Sequence, residues 1–391
     1  MNKNTYCPFP FMGASLQPNN TVLPCGQYMN SAPFKKVIPL TEVRNSEYMN
    51  QLRQGMLTGK HGDGCQCPAE EASGIMSMRQ HAIEKFGYTV SDDLKIVEIF
   101  FDNVCNLKCR SCGSSHSHLW YDDEMAMFGT TLADKKYLKN HTYKQVDISK
   151  LELVDIYGGE PMLSIDADEF LKELKDNNII KNIELRLSTN GTTLPKENME
   201  YALLNCNFLK MQISIDAYGP LNNLMRSGSD FDELVKNLEY YNNIFETRPT
   251  GSTKMMVHSA VGIYNINVLY LLEDFLKDKF PNLWFDTQVV QFPLHLSAKH
   301  LPVAYKEKVK LEMGDRYPML INYMMQDGED LFGHFINYHN KLNETRQEDF
   351  TGLNPLLESY METYLSVPDW NVSKEYFVNS INSLKTNANL E

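Results

Sequence analysis

The stretch Phe101–Gly113 reads FDNVCNLKCRSCG, with Cys105, Cys109 and Cys112 separated by gaps of three residues and then two. A zinc ribbon draws its thiolates from separate pairs, each closed by a tight knuckle. Here three thiolates share one short loop, with no partner pair at zinc spacing nearby. An iron–sulfur cluster normally takes four thiolates, so three leave one iron with an open position where a ligand can bind and react. That is the donor set of a catalytic cluster. Upstream, LKIVEIFFDN (Leu94 to Asn103) is a β-branched and aromatic run of strand length, so the cysteines begin where a strand ends. In a parallel α/β barrel that end is the functional face.

Beyond this loop the chain alternates strand-like and helix-like stretches. Strand candidates are LELVDIYGG (151–159), NIELRLSTNG (182–191), FLKMQISIDA (208–217), TKMMVHSAVGIY (253–264) and LWFDTQVVQF (283–292). Helical patterns fill the gaps at 166–177, 230–245 and 267–280. Such βα units imply parallel strands joined by right-handed crossovers. Six strands make an open, partial barrel rather than the closed eight-stranded form. YGGEP (Tyr157 to Pro161) closes the second strand, and its paired glycines let a ligand approach the backbone without Cβ interference. STNG (Ser188 to Gly191) closes the third strand and SIDA (Ser214 to Ala217) the fourth.

The CxxxCxxC loop after the first barrel strand resembles the hallmark of the radical S-adenosylmethionine (radical SAM) superfamily. The resemblance implies an α/β fold, a partial (β/α)6 TIM barrel, over residues 91–297. It implies a [4Fe-4S] cluster on Cys105, Cys109 and Cys112, with S-adenosylmethionine at the open iron. Gly158, Gly159 and Glu160 would hold the methionyl amino group of that cofactor. Ser188, Asn190, Ser214 and Asp216 put small polar side chains at the barrel mouth, suited to ribose and carboxylate hydrogen bonds. Arg226, ten residues after Asp216, is placed to offer a fork to the cofactor carboxylate.

Residues 1–90 contain a second set, Cys7, Cys25, Cys65 and Cys67. Four thiolates complete a cluster and leave no open site, or fill a tetrahedral zinc site. The segment looks like the twitch module, related to the SPASM extension, that accompanies many radical SAM enzymes. A second [4Fe-4S] cluster is therefore expected, with zinc as the alternative. Two departures from the family pattern stand out. One residue separates Cys65 from Cys67 where two are more usual, and Gly26 follows Cys25 where a further cysteine is common. Cys206 precedes a strand, so it belongs to the non-catalytic end of the barrel and reads as a buried free cysteine.

Residues 298–391 read as a helical C-terminal extension, a lid over the mouth being its possible role. Its aromatics (His334, Phe335, Tyr338, His339, Tyr360 and Tyr364) read first as helix-packing residues.

The chain has 391 residues, 42% hydrophobic and 22% charged, ordinary for a soluble globular protein. It has no run of about 18 or more apolar residues, so no membrane span is expected. MNKNTYCPFPFMG lacks a long apolar stretch with a small-residue cleavage site. Eight cysteines at metal-ligand spacings fit a reducing interior, so a cytoplasmic protein is expected. The net charge of −13 and pI near 5.3 argue against a nucleic-acid partner, which needs a basic footprint.

The resemblance implies reductive cleavage of S-adenosylmethionine to a 5′-deoxyadenosyl radical that abstracts hydrogen from a peptide or small-molecule substrate. Oxidation assisted by the second cluster would follow, with a one-electron donor such as flavodoxin or ferredoxin. Two competing readings are an inactive iron–sulfur or zinc scaffold partnering another enzyme, and an RNA-modifying radical SAM enzyme. No cobalamin-binding domain or methyltransferase pattern is evident.

Overall fold

The six expected barrel strands all form, and they lie parallel in one sheet. In chain order the described strands are β1 (Gly13–Leu16), β2 (Val22–Leu23), β3 (Ile96–Phe100), β4 (Lys108–Cys109), β5 (Leu153–Tyr157), β6 (Glu184–Thr189), β7 (Phe208–Ser214), β8 (Arg226–Ser227), β9 (Thr253–Val261) and β10 (Trp284–Val289). The computed structural model describes residues 1–30, 39–72 and 76–388. The main sheet runs β10-β9-β7-β6-β5-β3-β1-β2, and its first six members are the expected barrel. The helices Ile165–Asp176, Phe231–Thr247 and Leu269–Lys279 connect them.

Alternation along β6 and β7 explains the curvature of burial. Leu185, Leu187, Leu209, Met211 and Ile213 are fully buried, while Arg186, Ser188, Lys210, Gln212 and Ser214 between them are only partly so. Successive side chains on a strand point to opposite faces, so one face packs under helices and the other lines a polar barrel interior. Pairing puts Asp155, Arg186, Lys210 and Lys254 at one level across four strands.

The N-terminal segment joins this sheet and does not stand apart. β1 pairs parallel with β3, and β2 antiparallel with β1. Phe9, Met12, Leu40, Met49, Leu52 and Met56 share one core with Ile99, Leu185 and Leu209. A four-residue strand inside a Cys- and Pro-rich segment shows too little period to be read from sequence.

The C-terminal helices build a second core. Phe332, Phe335, Tyr338, Leu342 and Phe377 pack with Trp120, Tyr264 and Leu269 from the barrel side. Phe335, Tyr338 and His339 are buried, so these aromatics do pack helices. His295 sits inside this core, with ring centroids 4.5 Å from Tyr338 and 4.8 Å from Phe377. Its Nε2 has no partner. Burial, helped by His334 and His300 nearby, pushes the imidazole down to about 3 from its ordinary 6.5. The unfolded chain therefore binds a proton that the folded chain refuses, and stability is lost as pH falls below about 6.5. At pH 5 this costs about 2 kcal/mol. His295→Phe should raise the melting temperature more at pH 5 than at pH 7; an equal shift at both would contradict the account.

Candidate active site

The loop after β3 is tied down at its start by the residues that follow β5. Gly159 N–H donates to Asp102 O at 3.1 Å and Glu160 N–H to Val104 O at 2.7 Å. Asp102 also accepts from Ser164 Oγ at 2.6 Å, and Ser164 caps the helix Ile165–Asp176. Asn103, fully buried, accepts from Leu138 N–H and donates to the carbonyls of Ser114 and Lys136. Further along, β4 pairs with β8, setting Cys109 opposite Arg226.

The paired glycines are explained by this contact. Gly158 has φ 136°, and a Cβ there would lie 2.3 Å from the Phe100 ring. A Cβ on Gly159 would lie 2.3 Å from Val104 O. The close approach they permit within the protein is to the Phe100 ring at the end of β3 and to the backbone at the start of the cysteine loop.

Glu160 is buried, and its carboxylate accepts from Thr189 Oγ1 and Asn190 N–H, both at 2.7 Å, and from Met162 N–H at 3.1 Å. Burial raises its pKa, against the pull of these bonds. It thus locks the end of β6 to the end of β5. Asn190, so held, donates to Asn106 Oδ1 at 3.0 Å and places Nδ2 3.8 Å from Cys105 Sγ.

Residues 99–267 match the model of the radical SAM superfamily. These residues form a radical SAM domain. Similar solved structures include anSMEcpe with bound AdoMet and a Cp18Cys peptide, at 20% identity over 58% of this chain and 60% of that one, TM-score 0.37. Another is SuiB of Streptococcus suis bound to S-adenosylmethionine, at 17% identity over 71% of this chain and 60% of that one, TM-score 0.36. The chain thus spans about 60% of the length of each. No curated protein matches it.

Within the radical SAM domain, Cys105 is buried and Cys109 and Cys112 are partly exposed. All three thiols are pushed up, Cys105 to about 12, first by burial; for Cys105 and Cys112 a neighbouring cysteine comes next. Three such groups ionise together only beside a compensating cation. Arg226 supplies part of that compensation, lowering all three. Arg226 Nη1 donates to Asp216 Oδ2 at 3.0 Å, so the fork expected for a cofactor carboxylate is partly engaged by protein. Its Nε is buried with no protein partner, which leaves a donor for a bound anionic group. Asp216 also accepts from Ala260 N–H at 2.9 Å. Ser188 donates to Gln212 at 3.3 Å, and Ser214 pairs with His258 in register; both lie on the barrel's interior face, away from the close contacts of the loop.

Sequence reasoning passed over Arg110, which lies between two of the cysteines and is 1% exposed. It also missed Trp120, whose Nε1 donates to Cys109 O at 2.9 Å, and Arg346. Their partners are remote in sequence, so no local pattern announces them.

Cys7, Cys25, Cys65 and Cys67 line a single pocket together with His61, Arg79, Tyr28 and Met56. The cavity between them is small, about 20 Å³. All four thiols are raised, burial first. Gly26 N–H donates to Glu98 at 2.6 Å, so the position where the family often has a cysteine is used to bond β3. Among the described residues no three His, Cys, Asp or Glu side chains converge tightly enough for a single ion. Cys206 is buried beneath Arg248, which donates to its carbonyl at 2.7 Å. Among the described residues no helix is long and apolar enough to cross a membrane.

Proposed function

We propose that the chain is a radical SAM oxidoreductase acting on a peptide or small-molecule substrate. The observation that carries this reading is the three-cysteine loop that follows the parallel strand β3, with Cys105 Sγ 3.8 Å from Asn190 Nδ2 at the end of β6 and Cys109 paired opposite Arg226. When bound, a [4Fe-4S] cluster and S-adenosylmethionine would supply one-electron reduction and hydrogen abstraction. The three cysteines would hold the cluster and leave one iron open. Gly158 and Gly159 bring the loop against the end of β5, and Glu160 fixes β6 beside it. One lone pair on Glu160 Oε2 is spare beyond the Asn190 bond, so an amino group could still be met there. Arg226 Nε is the free donor for a carboxylate, held in place by Asp216. Burial of Cys105, Glu160 and Asn190 would help to exclude water from the reacting centre.

The N-terminal four-cysteine pocket would hold a second [4Fe-4S] cluster, fully ligated by protein and serving to accept an electron. The division into a module at 1–90, a barrel at 91–297 and an extension at 298–391 is part of this proposal. A small reductase such as flavodoxin or ferredoxin would supply the electron, in a reducing compartment.

Cys65→Ala tests the two-site scheme. It should leave deoxyadenosine formation within about twofold of wild type while substrate oxidation, measured as product per deoxyadenosine, falls at least about tenfold. An equal loss of both would mean that the second site is needed for the first.

A further inference from the structure

The helix Phe332–Arg346 reaches the cysteine loop directly at two carbonyls, those of Lys108 and Arg110, and at the buried Arg110 guanidinium. Arg346 Nη1 donates to Lys108 O at 2.7 Å, Trp120 Nε1 to Cys109 O at 2.9 Å, and Tyr338 hydroxyl to Arg110 O at 2.7 Å. Arg346 lies over the Trp120 ring at 4.3 Å and donates to Asp123 and Ser227, both at 2.8 Å. Thus the one donor not on the helix Phe332–Arg346 is itself braced by that helix.

Arg110 makes the connection in the other direction. Its Nε donates to Leu224 O and its Nη1 to the Tyr264 hydroxyl, each at 3.1 Å. Its Nη2 donates to Asn343 and to Glu348. His339 lies 3.4 Å from Nη1, and burial with the Arg110 charge beside it drives its pKa down to about 3, so the ring is neutral and needs no counter-charge. Breaking such a buried charge pair from one side is costly, because the remaining charge stays unpaired. Every residue from Lys108 to Arg110 is therefore held by groups outside the loop.

We infer that the helix Phe332–Arg346 is a clamp on the cluster loop, with Arg110, Tyr338 and Arg346 as positioning residues that hold the ligand spacing. A lid over the barrel mouth would contact substrate-facing groups and leave the loop backbone alone. This inference rests on the proposed role of the loop as cluster carrier, but its mechanical part is readable without iron. The test is hydrogen exchange on the full chain, following the peptide 105–113, whose Arg110 and Cys112 amides donate to Met225 O and Cys109 O. Tyr338→Phe removes one hydroxyl and keeps the ring; Arg346→Gln removes the charged donor. Each should speed exchange of that peptide about tenfold while β7 is unchanged. Glu344→Ala, on an exposed face of the same helix, should leave it unaltered. On reconstituted protein both clamp variants should also lose iron to a chelator faster, with the KM for S-adenosylmethionine moved less than about twofold. Unchanged exchange in Tyr338→Phe, or a changed KM with unchanged exchange, would overturn the clamp. If wild-type protein takes up no iron, the cluster assignment fails while the exchange result still decides the clamp.

Discussion

Cys109→Ala should reduce deoxyadenosine formation to the background of iron-free protein while leaving the fold intact. The reason is a separation of roles at this residue. Its backbone pairs with Arg226 and its carbonyl accepts from Trp120, and both contacts survive the substitution. What is lost is one of three thiolates, and a cluster held by two has no defined open iron. The loss should therefore appear in iron content and in cofactor cleavage but not in melting temperature, which should shift by less than a few degrees. Near-normal deoxyadenosine production by this variant would remove Cys109 from the site.

Gly159→Ala should be the most damaging single-methyl change in the radical SAM domain. The new Cβ would lie 2.3 Å from Val104 O and 2.8 Å from Asn103 C. Both are backbone atoms of the cluster loop, so no side chain can rotate away. Either the Gly159–Asp102 and Glu160–Val104 bonds break or the loop shifts outward. Overpacking of this kind costs about 3 kcal/mol. The shift would also carry Cys105 away from Asn190. Gly251→Ala makes the contrast, since its φ of 83° is strained but nothing lies within 4 Å of its Cβ position. It should cost only about 1–2 kcal/mol and spare iron binding. Thermal unfolding and iron content of the two variants, side by side, check the difference.

The six barrel strands and the cysteine loop were legible because each carries its own local signal. β6 and β7 alternate residue by residue, and the loop announces itself through spacing alone. YGGEP was legible as a special position, but its contacts within the protein were not: Val104 O and the Phe100 ring lie against the two glycines. Only the parallel pairing of β3 and β5 brings those groups together. β1 was invisible because four residues of GASL give no period, and its partner β3 is remote in the chain. Arg110 and Glu348 are 238 residues apart, so their ion pair exists only in three dimensions. For the same reason the C-terminal extension read as a generic helical tail. Its grip on Lys108, Cys109 and Arg110 depends on Arg346 and Tyr338, neither of which stands in a recognisable motif.

The arrangement also explains why the domain needs buried carboxylates near its thiols. Glu160 and Asp216 do not stand free beside the cluster loop; they hold Asn190 and Arg226, the groups that face it. A hydrogen-bonded carboxylate orients its donors, and both Glu160 and Asp216 are used in that way.

The most direct test of the central claim is anaerobic iron and sulfide quantitation on reconstituted protein, wild type beside the Cys105/Cys109/Cys112 triple alanine variant. The account predicts about eight irons in wild type and about four in the variant, one cubane lost from the radical SAM loop and one kept by the N-terminal cysteines. Equal iron in the two proteins would contradict it.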